Sequence, residues 1–167
     1  EGPRESQCLA AVAIGSAAPE QWGEARRALD FHDLKGDIEQ LLATTGDAAS
    51  FAFRPAARPW LHPGRSAEIV RAGQPIGLAG ALHPALAGAL DLPQDTWVFE
   101  LAVEPLAARP VPLATEVSRL PSVRRDLAIV VDRKVPWGAL ETAIRAAAGP
   151  LLRGLVLFDE YSGKGLP

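Results

Sequence analysis

The sequence predicts an α+β fold built on a mostly antiparallel sheet. Apolar runs of strand length recur between turn residues, as at residues 9–14 and 97–103. One helical stripe interrupts them, with Leu34, Ile38 and Leu42 at helical spacing. Further along, two apolar segments flank an amphipathic stretch, which indicates a β-α-β unit. Strands that outnumber a few separate helices are typical of the α+β class.

The elements of the first part follow from local signals. Asp33 is a plausible N-cap of a helix that runs to about Thr45, whereas residues 16–27, with Pro19 and Gly23, are predicted to form a turn. The remaining elements are strands bounded by turn residues and one short helix that begins at a proline: a buried strand at 9–14, strands at 50–53, 67–71 and 75–82, the helix at 84–90, and a last strand at 97–103. The strands at 67–71 and 75–82 are expected to form a hairpin around residues 72–74.

The second part begins after a connector. Residues 104–118 hold three prolines and little periodicity, and they are predicted to be an extended linker. A strand at 123–131, a helix at 135–148 and a strand at 152–161 then follow, with Trp137, Leu140, Ile144 and Ala147 on one face of the helix. The second part is therefore predicted to be a β-α-β unit. The predicted domains are therefore 1–104 and 119–167, joined by a linker at 105–118.

Composition narrows the possible functions. Residues 1–117 carry nine basic and fifteen acidic side chains, whereas residues 118–167 carry eight basic and five acidic ones. A basic part on an acidic body favours a localised RNA contact over general nucleic-acid binding. No run approaches the ~18 apolar residues of a membrane span. Cys8 cannot form an internal disulfide, is expected to be a small core residue, and fits a reducing, cytoplasmic setting.

No catalytic residue and no metal site are predicted. The histidines are not clustered with cysteines or carboxylates at zinc-ligand spacing. Gly163-Lys164-Gly165 lacks the upstream glycine and the following Ser or Thr of a phosphate-binding loop, and the chain has no Rossmann fingerprint. Ser66 near His62 lacks the strand–turn–helix context of a hydrolase nucleophile.

Several motifs in order resemble one family. LPSVRRDLAIVVD at 120–132 and LVLFDEYSGKGLP at 155–167 resemble the start of the C-terminal anticodon-binding domain of the bacterial phenylalanyl-tRNA synthetase beta subunit. The upstream segments resemble the same subunit: DFHDLKGDIEQLL at 30–42, LHPGRSAEI at 61–69, GQPIGLAGALHP at 73–84 and FEL at 99–101. The resemblance implies an inactive class II synthetase-like module followed by a partial ferredoxin-like unit. A complete ferredoxin-like domain has the order β-α-β-β-α-β, so the β-α-β unit at 119–167 is expected to be its N-terminal half. With no methionine anywhere, the chain is expected to begin within a longer protein.

The resemblance also implies partners, namely the catalytic alpha subunit and tRNA, with ATP and Mg²⁺ used by the parent enzyme and no cofactor in this chain. The first part would dock the alpha subunit, with His62, Arg65, Ser66 and His83 as interface candidates. The alternative for each His-Pro pair is a turn in which the ring bonds to nearby backbone. An amino-acid-sensing module of ferredoxin-like topology and a pure scaffold remain alternatives for the whole chain.

The second part would contact the anticodon region of tRNA. The candidates are cations that can meet phosphates and one aromatic ring that can stack on a base: Arg124, Arg125, Arg133, Lys134, Arg153, Tyr161 and Lys164. Two alternatives remain open. Arg124 or Arg125 could instead pair with Asp126, Asp159 or Glu160, and Lys164 could be a solvated lysine of a Gly-rich turn.

Overall fold

The computed structural model describes residues 2, 5–109, 111, 113–114 and 119–163. The chain divides into two compact units, Glu1–Thr115 (unit 1) and Glu116–Pro167 (unit 2). Each candidate residue lies within one unit: the interface candidates belong to unit 1 and the RNA-binding candidates belong to unit 2.

Unit 1 is built on a five-stranded sheet. Its strands are β1 (Cys8–Ala13), β2 (Phe51–Pro55), β3 (Leu61–Arg71), β4 (Gln74–Leu82) and β5 (Trp97–Ala102). Their order across the sheet is β1-β5-β4-β3-β2, and every neighbouring pair is antiparallel. The predicted α+β class with an antiparallel sheet is confirmed.

The described residues also contain four α-helices and two 3₁₀ turns. The helices are α1 (Phe31–Ala43), α2 (Pro84–Ala89), α3 (Val103–Ala107) and α4 (Trp137–Ala148), and the 3₁₀ turns are Ala48–Ser50 and Gly149–Leu151. Helices α1 to α3 belong to unit 1, and α4 belongs to unit 2. Helix α2 and the 3₁₀ turn at Ala48–Ser50 lie in connections between strands of the sheet.

Helix α1 covers one face of the sheet and makes the core of unit 1. Leu34, Ile38 and Leu42 of α1 are buried, as their spacing predicted. They form one cluster with apolar side chains of the three inner strands, namely Ile69, Ile76, Ala79, Ala81, Trp97 and Leu101. Removal of this apolar surface from water is the main force that holds the helix on the sheet.

The start of α1 differs from the prediction. The N-cap is Asp30, and Asp33 is the third helical residue. One carboxylate oxygen of Asp30 accepts hydrogen bonds from the backbone N–H groups of His32, at 2.7 Å, and Asp33, at 3.1 Å. The Asp33 carboxylate accepts in return from the Asp30 backbone N–H at 2.9 Å. Two acidic residues at this spacing form a capping box, so the helix begins one turn earlier than the sequence suggested.

Strand β1 is a strand as predicted, but it is not buried. It lies at the edge of the sheet, pairs only with β5, and is exposed along most of its length. Cys8, which was expected in the core, is exposed as well. An apolar run alone does not distinguish a central strand from an edge strand, because both read as continuous apolar sequence.

Strand β3 is longer than predicted because it continues through the His-Pro segment. Its register against β4 shifts by three residues between Leu61 and Ser66, and we call this irregular stretch the bulge of β3. At this bulge the two backbones approach closely: a Cβ added to Gly80 would lie 2.6 Å from the carbonyl oxygen of Arg65. Glycine at position 80 is therefore required by packing, and the bulge lets a strand pass through Pro63.

The predicted hairpin between β3 and β4 is confirmed, with a two-residue loop. Both loop residues have positive φ, +49° at Ala72 and +81° at Gly73. This is the type I′ geometry that matches the twist of the strands. Alanine at the first position carries a steric cost that glycine does not.

The predicted extended linker begins with a helix. Val103–Ala107 forms α3, where an extended chain was expected from Glu104 and Val103 was expected to end a strand. Leu106 packs against the core of unit 1, and the Arg71 guanidinium donates a hydrogen bond to the Pro105 carbonyl. These tertiary contacts favour a helical turn, whereas the three prolines of the segment had indicated an extended chain.

Unit 2 contains the predicted helix but not the predicted strands. Neither 123–131 nor 152–161 forms a strand within the described residues. A ferredoxin-like unit is a split β-α-β, in which another strand separates the two, so these segments do not pair with each other. Trp137, Leu140 and Ile144 of α4 are half-buried, but Ala147 is exposed, and no described side chain of unit 2 is fully buried.

Candidate functional site

One end of the sheet of unit 1 gathers the predicted interface residues. The register pairs Ala13, at the end of β1, with Trp97, at the start of β5, and pairs Trp97 with Ala81 near the end of β4. It also pairs Leu61, at the start of β3, with Leu82. We call this end, with its connections at 14–30, 56–60 and 83–96, the loop end. It holds all four predicted interface residues: His62, Arg65, Ser66 and His83.

The two histidines of the loop end fix the local backbone. His62 Nδ1 accepts a hydrogen bond from the Gly64 backbone N–H at 3.1 Å. His83 is the N-cap of α2, and its Nδ1 accepts from the Ala85 N–H at 3.2 Å. The alternative in which each ring bonds to nearby backbone is thus confirmed. Both histidines are partly exposed.

Arg65 and Ser66 are also held by their own unit. Arg65 pairs with Asp95 at 2.9 Å, and its guanidinium carbon lies 5.4 Å from the centroid of the Trp97 ring. Ser66 Oγ donates to the Ala56 carbonyl at 2.7 Å. Because Trp97 is a buried core residue, the stacked Arg65 has a defined position at the surface. A shallow hollow of about 390 Å³ lies beside them, lined by Ala57, Arg58, Pro59, Leu61, Pro63 and His83.

The connection after β1 is clamped onto the start of α1. The Arg27 guanidinium donates to both oxygens of the Asp33 carboxylate at 2.6 Å each. Hydrogen bonding from Arg27, followed by the Asp30 backbone N–H, lowers the pKa of Asp33 from its usual 3.8 to about 2. The same pairing raises the pKa of Arg27. A bidentate pair of this kind adds geometric definition as well as charge attraction.

Sequence reasoning missed two tryptophans at the loop end. Trp22 is 108% exposed and Trp60 is 38% exposed. The signal was present for Trp22, because a tryptophan stands alone in a segment of Pro, Glu, Gln and Gly with no helical or strand periodicity. A large aromatic side chain that no core pattern explains is a candidate binding residue.

The RNA-binding candidates of unit 2 are exposed. This holds for Arg124, Arg125, Arg133, Lys134, Arg153 and Tyr161, whereas Lys164 lies outside the described residues. Arg133 and Lys134 occupy the turn before α4, which a hydrogen bond from the Val135 N–H to the Asp132 carbonyl closes at 2.9 Å. The ring of Tyr161 lies against Gly163, where an added Cβ would come 2.3 Å from the phenolic oxygen.

The alternative of internal ion pairing is not found for the paired arginines. Across the described residues, neither Arg124 nor Arg125 forms a salt bridge with Asp126, Asp159, Glu160 or any other carboxylate. Their guanidinium groups are therefore available to an external anion. Two adjacent exposed arginines suit phosphate oxygens, which take parallel N–H donors.

Two other kinds of site are absent from the described part of the chain. It holds no group of three or more His, Cys, Asp or Glu side chains arranged to bind a metal ion. Within the same residues no helix has the length and hydropathy needed to cross a membrane.

Sequence comparison assigns both units. The phenylalanyl tRNA synthetase beta chain CLM domain matches residues 1–103. The chain belongs to the phenylalanyl-tRNA synthetase beta chain family. The ferredoxin-fold anticodon binding domain matches residues 118–167, so this family assignment covers both parts of the chain.

Curated members of the phenylalanyl-tRNA synthetase beta chain family are similar along nearly all of this chain. The phenylalanine–tRNA ligase beta subunit of Xanthomonas oryzae pv. oryzae is 51% identical over 164 residues, which are 98% of this chain and 20% of the relative. The corresponding subunit of Xylella fastidiosa is 49% identical over 164 residues, with the same coverage. The chain thus spans about a fifth of the length of the curated relatives it matches.

Proposed function

We propose that this chain is a non-catalytic part of a phenylalanine–tRNA ligase, the enzyme that attaches phenylalanine to tRNA with consumption of ATP. One observation carries the proposal. The two family domains follow each other along the chain, at residues 1–103 and 118–167, and relatives named as the ligase beta subunit share 49–51% identity with it. We place the domains at 1–104 and 119–167, with a connection at 105–118 whose first residues complete α3.

Unit 1 acts as an inactive class II synthetase-like module that docks the catalytic alpha subunit. In its sequence no Gly-rich strand leads into the Glu-Arg pair that such an ATP site requires, and Phe99-Glu100-Leu101 has no arginine after the glutamate. ATP and Mg²⁺ are therefore assigned to the alpha subunit. Support for docking comes from the loop end, which contains Arg65, stacked on Trp97, and two exposed tryptophans, Trp22 and Trp60.

Unit 2 contributes to the grip on the anticodon region of tRNA. Its net positive charge and its exposed arginines suit a phosphate backbone. Tyr161 is 66% exposed and offers a ring for base stacking. The assembly is assigned to the cytoplasm, where tRNA charging supplies the ribosome.

Reconstitution tests this proposal. The purified chain is incubated with ATP, phenylalanine and tRNA, and no aminoacylation is expected without the alpha subunit. Affinity-tagged chain is expected to capture the alpha subunit, and filter binding is expected to show tRNA retention. Aminoacylation by the chain alone, or capture of neither partner, would refute the assignment.

The runner-up is an amino-acid-sensing module, since sensing domains share ferredoxin-like topology. Titration calorimetry with free amino acids distinguishes it, because the ligase proposal expects no heat of binding from this chain. Capture of the alpha subunit without tRNA retention would instead indicate a pure scaffold.

A further inference from the structure

Trp22 projects from unit 1 and has no hydrogen-bonding or ring partner among the described residues. It is 108% exposed, and among the described residues its indole makes no hydrogen bond and no ring contact. The other large apolar side chains of the loop end are more covered, at 38% for Trp60 and 58% for Leu90. A fully exposed indole keeps its apolar surface in water, which is unfavourable. Burial of the ring against a partner would remove that cost.

The loop that carries Trp22 has a rigid base. The Ala17 N–H donates to the Arg27 carbonyl at 3.1 Å, and the Leu29 N–H donates to the Gly15 carbonyl at 3.0 Å. The Arg27 side chain then holds Asp33 of α1 through two hydrogen bonds. These contacts at the base of the loop reduce the conformational entropy that the loop can lose on binding.

The tip itself is also braced. Gln21 Nε2 donates to a carboxylate oxygen of Glu24 at 2.6 Å, across the tryptophan. The loop is tied to the sheet through Leu29, whose carbonyl accepts from Trp97 Nε1 at 3.1 Å. Since Arg65 stacks on the same Trp97 ring, the Trp22 loop and the Arg65 site are supported by one side chain.

Charge selects the class of partner. Residues 16–33, from the loop that carries Trp22 to its Arg27–Asp33 clamp, have four acidic and two basic side chains. One of the two basic side chains, Arg27, is already in an ion pair with Asp33. This excess of negative charge repels phosphates, so stacking of Trp22 on RNA bases is disfavoured, whereas a cationic protein surface is attracted.

We propose that Trp22 is the anchor of the docking surface at the loop end, and that it inserts into an apolar pocket edged by Lys or Arg side chains on the catalytic subunit. The inference rests on the proposed docking function and adds to it the residue and the chemistry of the contact. Buried tryptophans surrounded by polar rims are the commonest strong contributors to protein interfaces.

The test measures the affinity of the full chain for the purified alpha subunit by biolayer interferometry. Trp22→Ala is expected to weaken binding about 30-fold or more, as removal of an anchoring tryptophan does. Trp22→Phe, which keeps an aromatic ring, is expected to weaken it less. Leu9→Ala is the control, because Leu9 is 39% exposed but lies near the start of edge strand β1, at the opposite end from the loop end.

Two further measurements separate the possible outcomes. Glu20→Lys is expected to weaken alpha-subunit binding at low salt, whereas stronger tRNA retention together with unchanged alpha-subunit binding would indicate an RNA contact and overturn the proposal. Acrylamide quenching of tryptophan fluorescence, compared between wild type and Trp22→Phe, is expected to fall for Trp22 when the alpha subunit binds.

Failure of this inference is distinct from failure of the proposed function. If wild type and Trp22→Ala bind the alpha subunit equally, the anchor is refuted and docking stands. If wild type does not bind the alpha subunit, both are refuted. If Trp22→Ala abolishes self-association seen by sedimentation instead, the occupant is a second copy and the inference is wrong. Equal thermal midpoints for wild type and Trp22→Ala will show that the variant folds.

Discussion

At the scale of single residues, the Arg27–Asp33 pair determines how the first long connection meets the helix. Asp33 accepts from two sources at once, the Arg27 guanidinium and the Asp30 backbone. Both groups favour the charged carboxylate, and therefore the pKa of Asp33 falls to about 2. The carboxylate thus works as a helix cap and as a clamp for the loop that carries Trp22.

The lowered pKa predicts a pH-dependent stability. A carboxyl whose pKa is lower in the folded state stabilises that state above its unfolded pKa, and the contribution is lost as pH falls toward the folded pKa. For Asp33 this window runs from about pH 4 down to about pH 2. We expect Asp33→Asn to lower the urea midpoint at pH 6, with the difference from wild type shrinking through that window. A constant difference at every pH would contradict the linkage.

At the scale of elements, the β3–β4 hairpin contains a residue that is not the best for its conformation. Ala72 has φ of +49° at the first position of a type I′ loop, where asparagine is preferred. We expect Ala72→Asn to raise the free energy of unfolding of unit 1 by roughly 0.5–1 kcal/mol, because Asn tolerates left-handed backbone better. Gly73→Ala is the matched control and is expected to destabilise, since φ there is +81°. Urea titration followed by tryptophan fluorescence measures both.

The packing of α1 gives a second prediction for an element. Ile38 is 0% exposed within the core cluster. Ile38→Ala is expected to lower the free energy of unfolding by about 2–5 kcal/mol, through the smaller buried area and the cavity left behind. Gln40→Ala, on the exposed side of the same helix, is expected to change it by less than about 0.5 kcal/mol. Equal effects of the two substitutions would show that α1 does not depend on this packing.

The elements also show what sequence patterns could and could not determine. The buried face of α1 was predictable because Leu34, Ile38 and Leu42 repeat with the helical period. The extent of β3 was not, because Pro63 reads as a strand breaker unless a bulge absorbs it. Helix α3 depends on the hydrogen bond from Arg71 to Pro105, which is remote in sequence.

The residues of the candidate site were also predicted only in part from the sequence. The family motifs pointed to His62 and His83, but their hydrogen bonds to Gly64 and Ala85 show that each ring also serves the local fold. Trp22 was missed because exposure follows from the loop's tertiary setting, which periodicity does not report. In unit 2, the segment at 123–131 was predicted to be a buried strand but forms no strand within the described residues. The reason is that an apolar strand pattern does not specify which neighbouring strand completes the sheet.

At the scale of the whole molecule, charge separates along the chain. The acidic excess before residue 118 and the basic excess after it agree with the different partners proposed for the two units. Phosphate binding releases counterions, so tRNA affinity that depends on unit 2 must fall with salt.

This separation predicts where the salt dependence resides. We expect Arg124→Ala with Arg125→Ala to weaken tRNA binding and to reduce the slope of log affinity against log salt by about 1 for each phosphate that is no longer neutralised. Arg26→Ala, an exposed arginine of unit 1, is the control and is expected to leave the slope unchanged. Filter binding from low to moderate salt measures all three proteins. An equal reduction of the slope in the control would show that the attraction is not specific to unit 2.

The two edge strands of the sheet of unit 1 differ in how well they resist pairing with a further strand. Strand β2 ends in Arg54 and Pro55, a charge and a missing N–H that discourage further strand addition. Strand β1 has neither in its six residues, CLAAVA, and one side of its backbone has no strand beside it within the described part of the chain. In concentrated solutions of the isolated chain, edge-to-edge pairing of β1 is therefore expected to start fibril formation, and Ala10→Lys is expected to slow this aggregation.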